Sequence, residues 1–405
     1  MKIAIIHNLP PGGQKRALFE QAKRLAKRHE LDLFTLSSTN ESFLPLKPFI
    51  KKHVRVTYNP PPHFPKSVFS IYYDLPIAYK LLAEKINDRD YDAAYVNPCY
   101  FTQAPYILRY LKTPSLYYCP EPKREFYESI PHISNRLTYI ATYPFRLPIK
   151  SIDKTNTRCA TRILTNSQYS QKRINKIYGV SSQINYLGVD SNIFKPIRAS
   201  YSSSDPDSIG GVEKSISDSS RQARTINLAL TVGELSLHKG HDFIIKSIAQ
   251  IPQKERPGLL IIGHGGTEDN YLRQLAKSTG VNMDIKHNVT DEELVSWYSK
   301  AKVFLYAPLN EPFGMVLLEA LSSGLPIVAV NEGGIPEIVN SDKLGLLVER
   351  NEKKFAQAIQ KILLRLSFRS RRHVGRGISH DYIQKNWSWE KSVKELEKHL
   401  IEIAK

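Results

Sequence analysis

The chain has 405 residues, a hydrophobic fraction of 41% and a formal net charge of +18. This length exceeds one typical hydrophobic core, so we expect two globular domains of ordinary size. No run of about eighteen uncharged apolar residues and no signal-peptide cleavage pattern are present, so the protein is predicted to be cytoplasmic, without a spanning helix. The three cysteines have no zinc-site spacing and are predicted to be ordinary buried thiols.

Short apolar runs alternate with helical patterns through the first part of the chain. Residues 93–96 form such a run, whereas residues 18–29 have the spacing of a helix. Because helices connect parallel strands, this alternation predicts an α/β fold with doubly wound sheets. The first predicted strand, residues 1–9, is followed by Gly12 and Gly13.

The positive charge is patchy, and residues 136–176 contain Asp153 as their only carboxylate. Lys154, Arg158 and Arg162 would share one helix face. Interleaved with aromatic residues, Arg158 and Arg162 could hold an anionic membrane surface, where each basic side chain contributes about 1 kcal/mol. We therefore predict peripheral contact with the cytoplasmic membrane face, and an acidic glycan is the other candidate partner.

Residues 195–224 are rich in Ser, Asp, Pro and Gly and have little to bury. We place the interdomain linker there, so the predicted domains are residues 1–194 and 225–384. The second domain begins with an apolar strand at 226–232 followed by Gly233, as expected for a nucleotide-binding half.

A second glycine turn follows within this domain. Gly263 comes after the strand 259–262, where small residues let backbone amides approach a ligand; an ordinary turn is the alternative. Thr290 and Glu293 form a predicted capping box that opens a helix. Since ligands bind beyond the carboxyl ends of strands in open α/β sheets, we expect a nucleotide on this domain.

Seven residues separate two glutamates, Glu311 and Glu319. Pro312 fixes φ at the first turn of a helix, and a Gly-Leu-Pro sequence ends the apolar run. A helix is therefore predicted over about 313–323, followed by a strand over 326–330.

The start of this helix predicts an anion site, because unpaired amides and the positive dipole end attract phosphate. Glu319 lies among leucines and alanine, where acceptance of two sugar hydroxyls would explain a carboxylate. The alternative is that Glu311 caps amides and Glu319 pairs with a lysine or arginine. We interpret the two glutamates as part of a sugar-nucleotide site.

The order of several short motifs supports this interpretation. They are the first strand with Gly12-Gly13, then Ile163 to Ser167, Tyr178-Gly179, Tyr186 to Asp190, Val232 to Leu235 with Lys239-Gly240, Leu260 to Gly266, Asp291 to Leu294, the two glutamates, and Gly333 to Glu337. Together they resemble the retaining glycosyltransferases of family four, which fold as two Rossmann-like domains facing a cleft, the GT-B architecture. In that family the final helical pattern, here 389–404, returns to the N-terminal domain, which would add residues 385–405 to it.

The resemblance implies roles for the matching residues. Lys239 would neutralise the donor diphosphate, with a lone surface lysine as the alternative. Glu311 would hold the transferred sugar, and Glu319 would bind the ribose. The other donor-binding positions would be Gly12, Gly13, Gly233, Gly263, His287, Val289, Gly314, Met315 and Val316.

The resemblance also implies the partners, which are a nucleotide diphosphate sugar, slightly favouring mannose or glucose, and a glycan or lipid-linked acceptor in cell-envelope synthesis. The leaving phosphate would accept the acceptor's proton on the same face, without a protein nucleophile. No cofactor is expected. The Asp-x-Asp pairs at 88–90 and 205–207 are interpreted as solvated turns rather than metal sites.

Two positions depart from the family pattern. Glu234 stands where the family usually has arginine, and at about 5 Å with an effective dielectric near 20 it would cost about 3 kcal/mol against a phosphate, so it must point elsewhere or pair. Pro120 stands where many relatives have a histidine and cannot transfer a proton. That task would pass to Glu121, to His7 or to the donor itself; Glu121 could instead pair with a neighbouring basic residue.

Three other classes stay open. An inactive relative that binds nucleotide sugar or glycan would explain Glu234 and Pro120 together. A basic nucleic-acid-binding protein would explain the charge, but no zinc-finger or RNA-recognition signature accompanies it, so no nucleic acid is expected. An epimerase or a phosphorylase could share the architecture, because fold does not settle chemistry.

Overall fold

A computed structural model describes residues 1–128, 136–196, 227–368 and 374–405. The chain divides into two compact units: unit 1 contains Met1–Gly188 and Trp387–Lys405, and unit 2 contains Val189–Asn386. From residue 197 onward, the predicted linker lies outside the described residues. The domain limits drawn from the sequence stay predictions beside these boundaries.

Unit 1 is built on a parallel sheet, which has seven strands among the described residues. They are β1 (Lys2–Asn8), β2 (Glu30–Leu36), β3 (Lys52–Val56), β4 (Ala93–Cys99), β5 (Ser115–Tyr118), β6 (Arg162–Thr165) and β7 (Gln183–Ile184), in the spatial order β3-β2-β1-β4-β5-β6-β7. Ile3 pairs with Leu31 on one side and with Ala93 on the other. Every residue of β4 is buried, as expected for a central parallel strand covered on both faces.

The connections between these strands are mainly helical. The helices are α1 (Gly13–Leu25), α2 (Lys66–Asn87), α3 (Arg136–Arg158) and α4 (Gln168–Ile174). The inner face of α2 packs with strands of the sheet in the hydrophobic core of unit 1.

Unit 2 has a second parallel sheet, with six strands in the part of the chain that the structure describes. They are β8 (Leu228–Val232), β9 (Gly258–Ile262), β10 (Met283–Lys286), β11 (Val303–Tyr306), β12 (Ile327–Val330) and β13 (Gly345–Val348), in the order β10-β9-β8-β11-β12-β13. Its helices are α5 (His241–Ala249), α6 (Asp269–Thr279), α7 (Asp291–Lys300), α8 (Met315–Ser322), α9 (Ile335–Ile338), α10 (Glu352–Phe368) and α11 (Val374–Asn386). Both units confirm the predicted doubly wound α/β class. No helix within the described ranges is long and apolar enough to cross a membrane.

The last helix, α12 (Trp389–Ala404), belongs to unit 1. Gly188 lies so close to it that an added Cβ would be 2.5 Å from the Trp389 backbone nitrogen. The Asn185 Nδ2 group donates to the Ser392 carbonyl oxygen at 2.9 Å. The chain therefore starts unit 1, builds unit 2, and returns to complete unit 1.

The helix between the two glutamates is shorter than the sequence predicts, because α8 starts at Met315 rather than near residue 313. Gly314 has a φ of +92°, which is incompatible with a helical turn. At the other end, Gly324 has a φ of +77° and the Leu325 N–H donates to the Ala320 carbonyl at 2.9 Å, as in a glycine-terminated helix. The following strand, β12, begins one residue later than predicted.

The three cysteines differ in exposure. Cys99 and Cys119 are buried, as predicted, whereas Cys159 is exposed. The prediction is wrong for Cys159 because this residue lies in the turn after α3, beyond the part of the helix that faces the core.

Candidate functional site

The lysine and the first glutamate identified from the sequence lie together in unit 2. Lys239 Nζ donates a hydrogen bond to Glu311 Oε2 at 2.9 Å, although the two residues are 72 positions apart in the chain. Their side chains are 23% and 13% exposed. Because partly exposed ion pairs stabilise a fold by only about 1 kcal/mol or less, a ligand could separate these two groups at little cost.

A glycine fixes the turn that holds Lys239. Gly240 has a φ of +70°, and a Cβ added there would lie 1.9 Å from the carbonyl oxygen of Ala307. The Leu309 N–H donates to the His238 carbonyl oxygen at 2.8 Å. Main-chain contacts thus join the lysine turn to the loop after β11 and set the position of the ion pair.

Two further glycines hold the backbone of Glu311. The Gly334 N–H donates to the Glu311 carbonyl oxygen at 2.8 Å. A Cβ on Gly333 would lie 2.3 Å from that same oxygen, and a Cβ on Gly334 would lie 2.3 Å from the Pro312 carbonyl oxygen. In the sequence this glycine pair is only part of a family motif, whereas in the structure it supports the backbone of the glutamate loop.

The start of α8 presents backbone donors near this loop. Gly314 is the residue before the helix, and Met315 and Val316 are its first two residues. The first amides of a helix have no acceptor within the helix, and they lie at the positive end of its dipole. This arrangement can bind an anion beside the Lys239–Glu311 pair.

Glu319 is buried on α8, with 7% of its surface exposed. Its Oε2 accepts a hydrogen bond from the Tyr298 hydroxyl of α7 at 3.0 Å. Tyr298 is itself 1% exposed. The hydroxyl therefore orients a buried carboxylate, and no pattern in the sequence indicated this tyrosine.

The glycine turns after β8 and β9 pack against each other. The Gly233 N–H donates to the Ile262 carbonyl oxygen at 3.0 Å. A Cβ on Gly263 would lie 2.4 Å from the Gly233 carbonyl oxygen. Close packing between turns is thus sufficient reason for glycine at position 263, and the donor-binding roles of Gly233 and Gly263 stay predictions.

Glu234, which replaces the family arginine, points toward solvent. Its side chain is 48% exposed, and Oε2 lies 3.9 Å from His238 Nε2. Behind it, His241 Nε2 lies 3.1 Å from the Glu234 carbonyl oxygen. Burial lowers the pKa of His241 to about 4, so this ring is neutral at pH 7. The main chain of Glu234 is therefore fixed, while its carboxylate stays at the surface beside His238.

The segment predicted to contact the base follows β10. His287 is exposed, and its Nε2 lies 2.8 Å from Asp269 Oδ2. Val289 is partly buried. After it, the Thr290 N–H donates to Glu293 Oε2 at 2.8 Å and the Glu293 N–H donates to Thr290 Oγ1 at 3.2 Å. The predicted capping box is confirmed.

The N-terminal glycines lie at the start of α1 in unit 1. Gly12 has a φ of +147°, a conformation that favours glycine, and Gly13 is the first residue of the helix and is exposed. The Arg16 N–H donates to the Gly12 carbonyl oxygen at 3.0 Å. Both glycines are accessible to a ligand at the carboxyl end of β1, and their contact with a diphosphate stays a prediction.

A buried cluster lies directly behind this turn. Lys15 contacts both Glu41 and His7, and the His7 Nε2 to Glu41 Oε1 distance is 2.8 Å. The Leu9 N–H donates to His7 Nδ1 at 3.3 Å. Burial lowers the pKa of His7 to about 4, and its side chain has no exposed surface. His7 therefore has no access to a substrate and cannot replace the missing histidine directly.

Glu121 is paired within unit 1. Its Oε2 lies 3.7 Å from Arg124 Nε, and its side chain is 23% exposed. Its carbonyl oxygen accepts a hydrogen bond from Gln103 Nε2 at 2.9 Å. This is the alternative that the sequence left open, and a catalytic role for Glu121 stays a prediction.

The two arginines predicted to face a membrane make contacts within unit 1. Arg158 Nε donates to the Tyr178 carbonyl oxygen at 2.7 Å. Arg162 pairs with Glu402 on α12, and its Nη1 lies 3.2 Å from His399 Nδ1. Both guanidinium groups therefore have structural partners, and the structure gives no support to these residues as a lipid-binding pair.

The described residues include no group of three or more His, Cys, Asp or Glu side chains that could hold a metal ion. Asp88 and Asp90 are exposed near the turn that precedes β4, and residues 205–207 lie outside the described residues. The expectation that no metal is required stays a prediction.

Solved structures share the architecture of this chain. Sucrose-phosphate synthase from Thermosynechococcus elongatus matches with a TM-score of 0.71 and 18% identity over 98% of each chain. Anabaena HepE in complex with UDP-glucose matches with a TM-score of 0.71 and 18% identity over 99% of each chain. The fold is therefore that of the GT-B glycosyltransferases.

Two family models match successive parts of the sequence. The model described as Glycosyltransferase Family 4 matches residues 11–192, and the model described as Glycosyl transferases group 1 matches residues 212–375. Since both halves of the chain match, the chain belongs to the family 4 glycosyltransferases.

Curated relatives match over shorter stretches. An uncharacterized glycosyltransferase of Methanocaldococcus jannaschii is 30% identical over 171 residues, which are 42% of this chain and 43% of that protein. The GDP-mannose-dependent alpha-(1-6)-phosphatidylinositol monomannoside mannosyltransferase of Mycobacterium tuberculosis is 27% identical over 236 residues, which are 55% and 57%. The chain spans about half the length of the curated relatives it matches.

Proposed function

We propose that this chain is a retaining hexosyltransferase that moves a hexose from a nucleotide diphosphate sugar to a glycan or lipid-linked acceptor. The main support for the proposal is the partly exposed Lys239–Glu311 ion pair beside the start of α8. It lies in the segment that matches the group 1 family model.

The ion pair would be exchanged when the donor binds. A diphosphate at the start of α8 offers Lys239 oxygen atoms in place of the Glu311 carboxylate, and Glu311 is then able to accept hydroxyls of the transferred sugar. Backbone amides at 314–316 donate to the phosphate or sugar oxygens. Because negative charge grows on the leaving diphosphate, these contacts strengthen in the transition state and accelerate transfer.

The transfer breaks the bond between the anomeric carbon and the diphosphate oxygen and forms a bond from that carbon to the acceptor oxygen on the same face. The acceptor's proton passes to the leaving phosphate. The positions of His7, which is fully buried, and of Glu121, which is paired with Arg124, support the donor phosphate as the base.

The donor nucleoside would contact unit 2 at two points. Glu319, held by Tyr298, accepts ribose hydroxyls, and the backbone near 287–289 contacts the base. The similarity to the GDP-mannose-dependent enzyme of Mycobacterium tuberculosis and to the Anabaena protein in complex with UDP-glucose supports a GDP-mannose or UDP-glucose type of donor. The former is a phosphatidylinositol monomannoside mannosyltransferase, which supports a lipid-linked acceptor for this chain as well.

Calorimetry with UDP, GDP and ADP, followed by the matching sugar nucleotides with and without acceptor lipid, tests this function. We expect one diphosphate to bind, and transfer to give a product with the anomeric configuration of the donor in its NMR spectrum.

Glu319→Gln should weaken nucleotide binding while circular dichroism stays native, because a hydroxyl acceptor is lost. The exposed Glu292→Gln on α7 is the control, and equal affinity of both variants would contradict the ribose assignment.

A catalytically inactive relative is the second candidate, supported by the exposed carboxylate of Glu234 and by Pro120. Such a protein would bind the sugar nucleotide without turnover for any acceptor. Glu234→Arg separates the two cases. For the enzyme we expect donor binding to be kept or tightened, and a loss of about tenfold or more would show that Glu234 has its own essential partner.

A further inference from the structure

Helix α2 is apolar on two sides. One side packs into the core of unit 1. On the solvent side, Phe69, Tyr73, Ile77 and Leu81 recur at every fourth residue and are 45%, 67%, 61% and 47% exposed. Each step of four residues turns about 40° around the helix, so these side chains form a slowly winding stripe about 18 Å long. A surface helix normally presents polar residues there, and a large exposed apolar patch marks an interaction site.

The stripe is extended by two aromatic rings from neighbouring segments. Phe64 precedes α2 and Phe145 lies on α3, and their ring centroids are 5.3 Å apart in an edge-to-face arrangement. Each is 46% exposed. The Tyr72 hydroxyl of α2 donates to the Phe145 carbonyl oxygen, which ties the two helices together. We call Phe64, Phe69, Tyr73, Ile77, Leu81 and Phe145 the apolar face.

Charged side chains of both signs border the apolar face on α2. Lys66 and Lys80 are exposed and lie three residues from Phe69 and Ile77, and the exposed Asp74 and Glu84 lie three residues from Ile77 and Leu81 on the same side of the helix. Lysines outnumber carboxylates among the exposed ionisable residues of α2, which are Lys66, Lys80, Lys85, Asp74 and Glu84.

The charge on α3 is more one-sided. Lys150 is exposed, whereas Asp153 has no exposed surface and accepts a hydrogen bond from the Ala104 N–H at 3.1 Å. Asp153 is the only carboxylate in the sequence of this helix. The solvent side of α3 therefore has basic groups and no acidic group.

We infer that the apolar face docks onto the surface of an anionic lipid bilayer. Its aromatic and aliphatic side chains would enter the interfacial region, where such residues are favoured, while Lys66, Lys80 and Lys150 face the lipid phosphates. A second copy of the chain is a poorer occupant, because the exposed lysines of α2 and α3 outnumber the exposed carboxylates and a second copy would bring this excess of positive charge together. The inference concerns unit 1 alone and does not depend on the chemistry proposed for unit 2.

Vesicle flotation tests the docking surface. The full chain should float with phosphatidylcholine vesicles that contain phosphatidylglycerol and much less with phosphatidylcholine alone. Tyr73→Ser with Ile77→Ser should reduce flotation by about tenfold or more, and Lys66→Glu with Lys80→Glu should reduce it and weaken its dependence on salt.

Helix α10 of unit 2 offers a matched control, because Leu364 is 59% exposed and Lys361 is exposed on the same helix. Leu364→Ser with Lys361→Glu should leave flotation unchanged. Since all substituted side chains are exposed, circular dichroism and Tm should stay native. Nucleotide affinity in solution should also be unchanged, which separates this result from failure of the proposed enzyme site.

Four results would overturn the inference. They are the absence of flotation by the unaltered chain, equal flotation with and without phosphatidylglycerol, equal loss in the α10 control, and undiminished flotation of the Tyr73 and Ile77 variant. A concentration-dependent dimer that this variant abolishes, without vesicle binding, would assign the apolar face to a second copy instead.

Discussion

Each unit places a lysine next to a glutamate just beyond the first strand of its sheet; the two lysines differ in burial, whereas Glu41 and Glu311 are 11% and 13% exposed. In unit 1, the Lys15 side chain is 1% exposed and contacts Glu41 and His7. In unit 2, Lys239 is 23% exposed and contacts Glu311. When one member of a buried ion pair is removed, the other is left as an uncompensated charge in the interior. In a partly exposed pair, by contrast, either group can exchange the other for a ligand. The same two residue types thus serve as an anchor in one unit and as a candidate site in the other.

Substitution of Lys15, the buried member of the unit 1 pair, is expected to have the largest effect on stability. Lys15→Met leaves the Glu41 carboxylate, which is only 11% exposed, without its ammonium partner, so we expect a loss of about 3 kcal/mol in the free energy of unfolding. Urea denaturation measures it. Lys15→Met combined with Glu41→Leu should recover part of this loss. If the single variant is as stable as the unaltered chain, the contrast between the two pairs fails.

For the partly exposed Lys239–Glu311 pair we expect a large effect on activity and a small effect on stability. Lys239→Ala should lower kcat by about 10²- to 10³-fold, because a cationic donor to the leaving diphosphate is removed. Its unfolding free energy should change by about 1 kcal/mol or less. Lys246, which pairs with Asp242 on α5, is the control, and Lys246→Ala should change neither quantity appreciably. An equal loss of activity in both variants would count against the site.

Buried histidines in both units predict a dependence of stability on pH. Burial lowers the pKa of His7 and of His241 to about 4, from an ordinary value of 6.5. The folded chain therefore favours the neutral ring, whereas the unfolded chain takes up a proton near pH 6.5. The free energy of unfolding is highest above about pH 6.5 and decreases as the pH falls toward about 4. We expect a decrease of up to about 3 kcal/mol per histidine in denaturant unfolding.

Substitutions of the two histidines test whether they cause this decrease in the free energy of unfolding with falling pH. His241→Gln and His7→Gln should each remove part of the decrease between about pH 6.5 and 4, whereas the exposed His264→Ala should leave it unchanged. A slope that neither buried variant alters would show that other groups cause the loss of stability.

The smallest effect concerns the second carboxylate of unit 2. Tyr298→Phe removes one hydrogen bond to Glu319, so nucleotide affinity should fall by about fivefold, or about 1 kcal/mol. With a nucleotide that lacks the ribose hydroxyls, the unaltered chain and the variant should bind alike. An equal loss for both nucleotides would mean that Tyr298 has only a packing role.

The sequence was sufficient for the fold because the relevant signals are local. The alternation of apolar runs and helical spacing predicted the sheets, and the final helix was predicted at 389–404, where Ser388 Oγ accepts from the Lys391 N–H at 3.3 Å as its cap. The capping box at Thr290 is likewise a contact between near neighbours. Patterns of this kind need no knowledge of distant segments.

The geometry of the site depends on distant segments and could be predicted only in part. The position of Lys239 within a family motif and the spacing of Glu311 and Glu319 pointed to these residues, but the contact between Lys239 and Glu311 spans 72 positions. The need for glycine at 240 follows from the Ala307 carbonyl oxygen, which no local pattern specifies. Lys15 would be expected at a helix surface, and its burial follows from the charge of Glu41. The roles of the site residues toward a donor stay predictions.

The return of α12 to unit 1 has a consequence for biosynthesis. Since Gly188 and Asn185 contact residues of α12, unit 1 lacks part of its packing until every residue of unit 2 has left the ribosome. Domains that are continuous in sequence can fold in order of synthesis, from the N-terminus onward. Here unit 2 is the one able to finish first, and the N-terminal sheet must wait with part of one face uncovered over β4 and β5, open to chaperones, until α12 has been synthesised.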